Sequence, residues 1–196
     1  MRPPSETMDL RLRLGVMVLL VVIFPVAYVA AINALLPHES LAFQAGWTDQ
    51  NFSGWTANAS QGTSARLSVS NGTLSVISAG NVTAQQFVAA DSPNLTLIDI
   101  SRYHFLIVSI RAPAYNVAAR IALWTGSGGP ILVLVKTYAD TGWHTEVIEL
   151  RFFGLSITTP LHTIELGWLS VETPAPVATS VDFQGLSLAR EVGEPS

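Results

Sequence analysis

The chain has no cysteine, and only 12% of its residues carry charge. The first absence excludes disulfide staples, thiolate metal sites and cysteine nucleophiles, so an exported domain of this size must be held by its apolar core. The second leaves no basic stripe. Ten Lys and Arg against fourteen Asp and Glu give a net charge of −4, which excludes a surface built to neutralise nucleic-acid phosphates. Helical periodicity is nearly absent after Pro37. What is present is apolar: 49% hydrophobic residues and a mean hydropathy of +0.40, in a chain of 196 residues that has room for one core.

Leu14 to Leu36 forms an uncharged apolar run of about 23 residues, long enough at 1.5 Å per residue to cross a bilayer. Pro25 falls mid-span, where a membrane helix tolerates a kink. Arg2, Arg11 and Arg13 precede the run, so the positive-inside rule places residues 1–13 in the cytoplasm and the rest outside. The other reading is a cleaved signal, with Val29-Ala30-Ala31 as the peptidase site; the run exceeds the roughly 7 to 15 residues of a secretory core, which favours a retained anchor. The expected order is a tail (1–13), a transmembrane helix (14–36), a linker (37–46), an extracytoplasmic domain (47–190) and a C-terminal tail (191–196).

Beyond Pro37 short alternating runs are separated by Gly, Pro, Asn and Ser, the pattern of an antiparallel all-β domain. Ala65 to Ile77 reads as a hairpin about Asn71-Gly72, a dipeptide suited to the positive φ angles of a type I′ turn. Further strands are predicted over Ala84–Ala89, Tyr103–Arg111, Val117–Trp124, Ile131–Tyr138, Thr145–Phe152, Leu161–Val171 and Ser180–Ala189, about nine in all. Gln184-Gly185 breaks the last alternation and predicts a bulge. Period two puts Arg120 and Trp124 on one face of their strand, Lys136 and Tyr138 on one face of the next, and Trp168 in the core.

Asn51-Phe52-Ser53-Gly54-Trp55, Ser70 to Val76, Asp99 to Tyr103, Asp140-Thr141-Gly142-Trp143-His144 and Val181 to Leu186, in that order, resemble the jelly-roll sandwiches of carbohydrate-binding modules and galactose-binding-like domains. The resemblance implies a jelly-roll β-sandwich and non-catalytic glycan binding through aromatic rings flanked by polar groups. On that basis Arg120, Trp124, Lys136 and Tyr138 are the ligand-binding candidates, lining one patch if their strands pair. Trp55 and Trp143 are assigned to the core, and Tyr115 to a turn facing ligand or protein. The resemblance also implies a structural calcium on Asp182, with Asp49 available and the family's usual Glu missing.

Catalytic readings find little support. Glu146 and Glu149 have an odd separation that puts them on opposite faces of a strand, Glu165 stands alone, and His104, His144 and His162 lack metal-ligand spacing. Sequons at Asn51, Asn58, Asn71, Asn81 and Asn94 are glycosylation candidates in an exported domain. The expectation is a membrane-anchored, extracytoplasmic, non-enzymatic binding or structural module, possible partners being glycans or another envelope protein. The alternatives are an accessory subunit of a larger membrane complex, with Ala27, Ala30, Ala31 and Ala34 as a helix-packing stripe, or an envelope or filament protein.

Overall fold

The computed structural model describes residues 43–191 apart from 97, 114–115, 126–128, 154–159 and 173. The expected tail, transmembrane helix and small-residue stripe, with Tyr115, lie outside the described residues. Among those described, no helix is long and apolar enough to cross a membrane. The described part belongs to a compact unit spanning Ala42–Ser196.

Asn71 (φ 50°) and Gly72 (φ 72°) both take positive φ, so the two-residue turn has the twist that joins β3 (Ala65–Ser70) to β4 (Thr73–Ser78). The remaining strands are β1 (Phe43–Asp49), β2 (Thr56–Ala59), β5 (Phe87–Asp91), β6 (Phe105–Arg111), β7 (Val117–Thr125), β8 (Ile131–Thr137), β9 (His144–Glu149), β10 (Leu161–Ser170) and β11 (Ser180–Glu191). Two of them, β1 and β2, have no counterpart in the sequence reading, and β1 begins inside the stretch read as linker. The strand expected over Thr145–Phe152 stops at Glu149, where Leu150–Phe153 turns as a 3₁₀ helix.

All pairings are antiparallel, and they make two sheets. One runs β3-β4-β11-β6-β9 with β1 also on β11; the other runs β2-β5-β10-β7-β8. The long β11 organises the first: its early half pairs with β4, its later half with β1, and its other edge with β6. At Gly185 (φ 64°) the register with β6 shifts between Gln184 and Ser187, the expected bulge. That extra residue keeps Leu186 and Leu188 pointing inward with Val181 and Phe183.

The core fills the space between the sheets. Leu74, Val76, Leu106, Val108, Ile110, Phe183 and Leu188 face Val88, Ile121, Leu123, Ile164, Leu166 and Trp168. Each such side chain contributes about 1.5–3 kcal/mol on burial, which is how a cysteine-free sandwich holds together. Trp168 is fully buried and donates its indole N–H to the Val76 carbonyl at 2.9 Å, tying one sheet to the other. Trp55 is buried as expected, its N–H held by Asp49 Oδ2 at 2.7 Å.

Candidate functional site

The five-stranded sheet has a second face, turned away from the core, and period two assigns its residues. Val117, Ala119, Ile121 and Leu123 of β7 enter the core, which leaves Ala118, Arg120, Ala122 and Trp124 outside. By the same alternation β10 presents Glu165 and Gly167, β5 presents Phe87, Ala89 and Asp91, and β2 presents Thr56 and Asn58. The register sets these side by side: Asp91 lies opposite Thr56 on one side and Glu165 on the other, and Gly167 lies between Ala89 and Arg120. The centre is a floor of small residues beneath longer ones. Gly167 is required there, because a Cβ would strike the Val88 carbonyl and the Ala89 backbone and side chain.

A polar network lies on that floor. Arg120 pairs with Glu165, and its guanidinium sits 4.3 Å from the Phe87 ring centroid. Trp124 donates its indole N–H to Glu165 Oε2 at 3.2 Å, and Asn58 donates its amide to Asp91 Oδ2 at 3.0 Å. Glu165 is 0% exposed and Arg120 7%. The other Asp91 oxygen, Oδ1, is buried and takes no hydrogen bond among the described residues. Desolvation raises the Asp91 carboxyl above its ordinary value, opposed by the Asn58 hydrogen bond and the Arg120 charge. Burial lowers the Arg120 guanidinium from its usual value, opposed by Asp91.

Asp91 and Glu165 being register partners puts their Cβ atoms about 5 Å apart, a separation that invites comparison with paired glycosidase carboxylates. Burial argues otherwise. Glu165 is enclosed beneath Arg120 and Trp124, with a guanidinium on one oxygen and an indole N–H on the other, so it is not presented to a glycosidic oxygen. What the face offers is hydrogen bonding, through the Asn58 amide and the unpartnered Asp91 Oδ1, together with the half-buried ring of Trp124, whose one N–H is already given to Glu165.

The four sequence candidates do not line one patch. β7 and β8 do pair, but Arg120 is opposite Val135 and Ala119 opposite Lys136, so Lys136 shares the inward-facing register while Arg120 is outside. Lys136 and Tyr138 instead close the gap between edge strands β8 and β9: Lys136 Nζ meets Glu146 Oε1 at 2.7 Å, and the Tyr138 hydroxyl donates to the same oxygen at 3.1 Å. Tyr138 is buried and stacks on His144 at 4.5 Å, and His144 meets Asp140 Oδ1 at 2.9 Å. Burial, then the Glu146 charge and hydrogen bond, raise the Tyr138 phenol. Asp140 is lowered, first by the Gly142 backbone N–H and then by His144.

Asp182 does not fit a calcium ligand. Its Oδ2 accepts from both Nη2 (2.7 Å) and Nε (3.0 Å) of Arg111, a fixed cation where a dication would sit. Asp49 is committed to the Phe52 and Asn51 amides and to Trp55, and no cluster of three or more His, Cys, Asp or Glu able to hold a metal occurs among the described residues. Trp143, expected in the core, is 38% exposed, because the turn at Asp140-Thr141-Gly142 delivers it to the outer face, against Arg111. Asn51, Asn71, Asn81 and Asn94 are exposed, whereas Asn58 gives to Asp91 the amide nitrogen that a glycan would need.

Neither a family model nor a curated protein sequence matches this chain. Solved structures do. The chain is similar to the family 11 carbohydrate-binding module of a cellulosomal cellulase of Clostridium thermocellum, with a TM-score of 0.53 and 13% identity, over 76% of this chain and 95% of that one. It is also similar to a family 11 module from the same organism in complex with a β-1,3-1,4-mixed-linked tetrasaccharide, with a TM-score of 0.51 and 14% identity, over 72% and 93% of the two chains. At this identity the likeness is one of fold, and it makes the domain an all-β antiparallel sandwich of the kind these carbohydrate-binding modules have.

Proposed function

We propose that the domain is a non-catalytic glycan-binding module that takes sugar hydroxyls on the outer face of its five-stranded sheet. The observation that carries the reading is the buried, unpartnered Asp91 Oδ1 beside Asn58, on the same sheet face as Trp124 and separated from it by Glu165. A buried carboxylate oxygen without a donor costs about 1–3 kcal/mol or more, and a sugar hydroxyl is a donor of the right kind once the Asp91 side chain turns outward to meet it. Trp124, across Glu165 on the same face, supplies an apolar ring for pyranose C–H groups. The mixed-linked tetrasaccharide bound by a structural neighbour is the first probe to use. Calorimetric titration of the full-length protein should show binding that weakens at least tenfold in Trp124→Ala and in Asp91→Ala. Absence of binding to that oligosaccharide and to every other polysaccharide tried would retire the reading, and release of reducing ends would replace it with an enzymatic one.

The proposal extends to location. Residues 14–36 anchor the chain, and the sandwich stands outside the membrane; the uncharged run and the arginines before it support this. Protease added to intact cells should then remove the sandwich, and protection until lysis would reverse the topology. In that setting the exposed sequons at Asn51, Asn71, Asn81 and Asn94 are available for glycosylation. A second reading, an accessory subunit of a membrane complex, is favoured by exposed Leu132 and Val135 on edge strand β8. Copurification of a stable heteromer in mild detergent would decide for it.

A further inference from the structure

The outer face of the six-stranded sheet carries a row that the function above does not use. Asp182 of β11 is the register partner of Ser75 on β4 and of Arg111 on β6. His144 opens β9 opposite Ile110, so Trp143, one residue earlier, arrives beside Arg111. Hydroxyl, carboxylate, guanidinium and indole thus stand in sequence across four neighbouring elements. The Arg111 guanidinium lies 4.9 Å from the Trp143 ring centroid, and Trp143 alone of the five tryptophans is exposed.

Beside this row opens a cleft of about 460 Å³, lined by Arg111, Asp182, Thr141, Thr179 and Ser180 among others. That volume falls within the roughly 300–1,000 Å³ of small-molecule sites. Its wall is built rather than incidental: Ala178 is held at φ 66°, a conformation costly for a residue with a Cβ, and its N–H is fixed on the Ser78 carbonyl at 3.1 Å.

We propose that this cleft is a second saccharide site, which takes a neutral pyranose through two adjacent hydroxyls. Charge selects the class. Arg111 and Asp182 cancel, so an anion meets the carboxylate and a cation meets the guanidinium, while a neutral diol meets neither penalty. Both Arg111 contacts fall on Asp182 Oδ2, so Oδ1 remains to accept from one hydroxyl and Nη1 to donate to its neighbour. Thr179 donates its own hydroxyl to the Pro176 carbonyl at 2.8 Å, which leaves its oxygen as an acceptor towards the cleft. Pro113 and Ala178 in the lining give the apolar complement to pyranose C–H groups, and Trp143, just outside the lining, acts by holding the Arg111 guanidinium against its ring. The site lies on the opposite sheet from Asp91 and Trp124, and stands whether or not that face binds.

Isothermal titration of the full-length protein with the mixed-linked tetrasaccharide and with a panel of other neutral tetrasaccharides tests it, with melting temperature as the folding control. The expected result is a binding event that Trp143→Ala and Asp182→Asn each weaken at least tenfold, and that Trp124→Ala leaves in place. Asp182→Asn keeps the side chain's shape, and Trp143 is exposed, so both variants should fold. Binding lost in Trp124→Ala and unaffected in Trp143→Ala and Asp182→Asn would overturn this site while supporting the first. Binding of no panel member to the wild-type protein would overturn it as well.

Discussion

Asp91 and Glu165, far apart in the chain, are direct register partners on the outer face of the β5–β10 pair, and Arg120 from β7 pairs with Glu165 and sits over Phe87. The acidic charge of this face is therefore held by one guanidinium. Asp91 keeps one oxygen without a donor, and this combination, rather than any sequence motif, is the chemical character of the site.

Removing the guanidinium should be costly. Arg120→Met leaves Glu165 fully buried and unpaired, a situation worth about 3–5 kcal/mol of lost stability, whereas taking both partners away should cost far less. Urea unfolding of Arg120→Met, Glu165→Leu and the double variant should show the double variant more stable than Arg120→Met. Losses that simply add would mean that the two groups do not interact.

Two carboxyl groups should titrate with opposite effects on stability. Asp91 is raised in the folded state, so the native protein binds its proton more tightly than the unfolded chain; stability is greatest below 3.8 and is lost as pH rises from there through the raised native value. Asp140 is lowered, so its contribution is present above 3.8 and is lost as pH falls through its native value. Unfolding curves across the acid range should show that Asp91→Asn removes a decline on the rising side, and that Asp140→Asn removes one on the falling side. Parallel wild-type and variant profiles would contradict both assignments.

How much of this was legible in the chain depended on range. The β3–β4 hairpin and the Gly185 bulge were, because a two-residue turn and a break in alternation are local signals. Strand β2 was not: Thr56-Ala57-Asn58-Ala59 has no large apolar residue, and it is a strand only because β5 pairs with it. Strand β1 was hidden by the register shift between Ala45 and Trp47. For the site, period two put Arg120 and Trp124 on one face correctly, but the Asp91–Glu165 neighbourhood depends on a pairing between strands distant in sequence. The same limit misplaced Trp143, since only its alignment with Arg111 across β6 and β9 shows which way it faces.

The floor of the site should tolerate no side chain at Gly167. A Cβ there meets Val88 and Ala89 backbone atoms of the neighbouring strand, which cannot rotate away as a side-chain end would. Gly167→Ala should therefore lose about 1–3 kcal/mol by thermal unfolding, against a gain of up to 1 kcal/mol for the same change where space allows. An unchanged melting temperature would mean that β5 and β10 are further apart than described.

Lys136 and Tyr138 provide the test that separates a structural seam from a ligand contact. The Tyr138 hydroxyl donates to Glu146 Oε1 from a buried ring, so Tyr138→Phe should lose about 0.5–1.5 kcal/mol, the net worth of one such hydrogen bond. Lys136 is half-exposed and its ion pair with Glu146 is screened, so Lys136→Ala should lose no more than about 1 kcal/mol. Because both side chains face the gap between β8 and β9, away from the outer face that holds Asp91, oligosaccharide affinity should be the same in both variants as in the wild type. A tenfold drop in affinity at unchanged stability in either variant would move the ligand to the β8–β9 edge, and would displace the face carrying Arg120 and Trp124 as the place where sugar is bound.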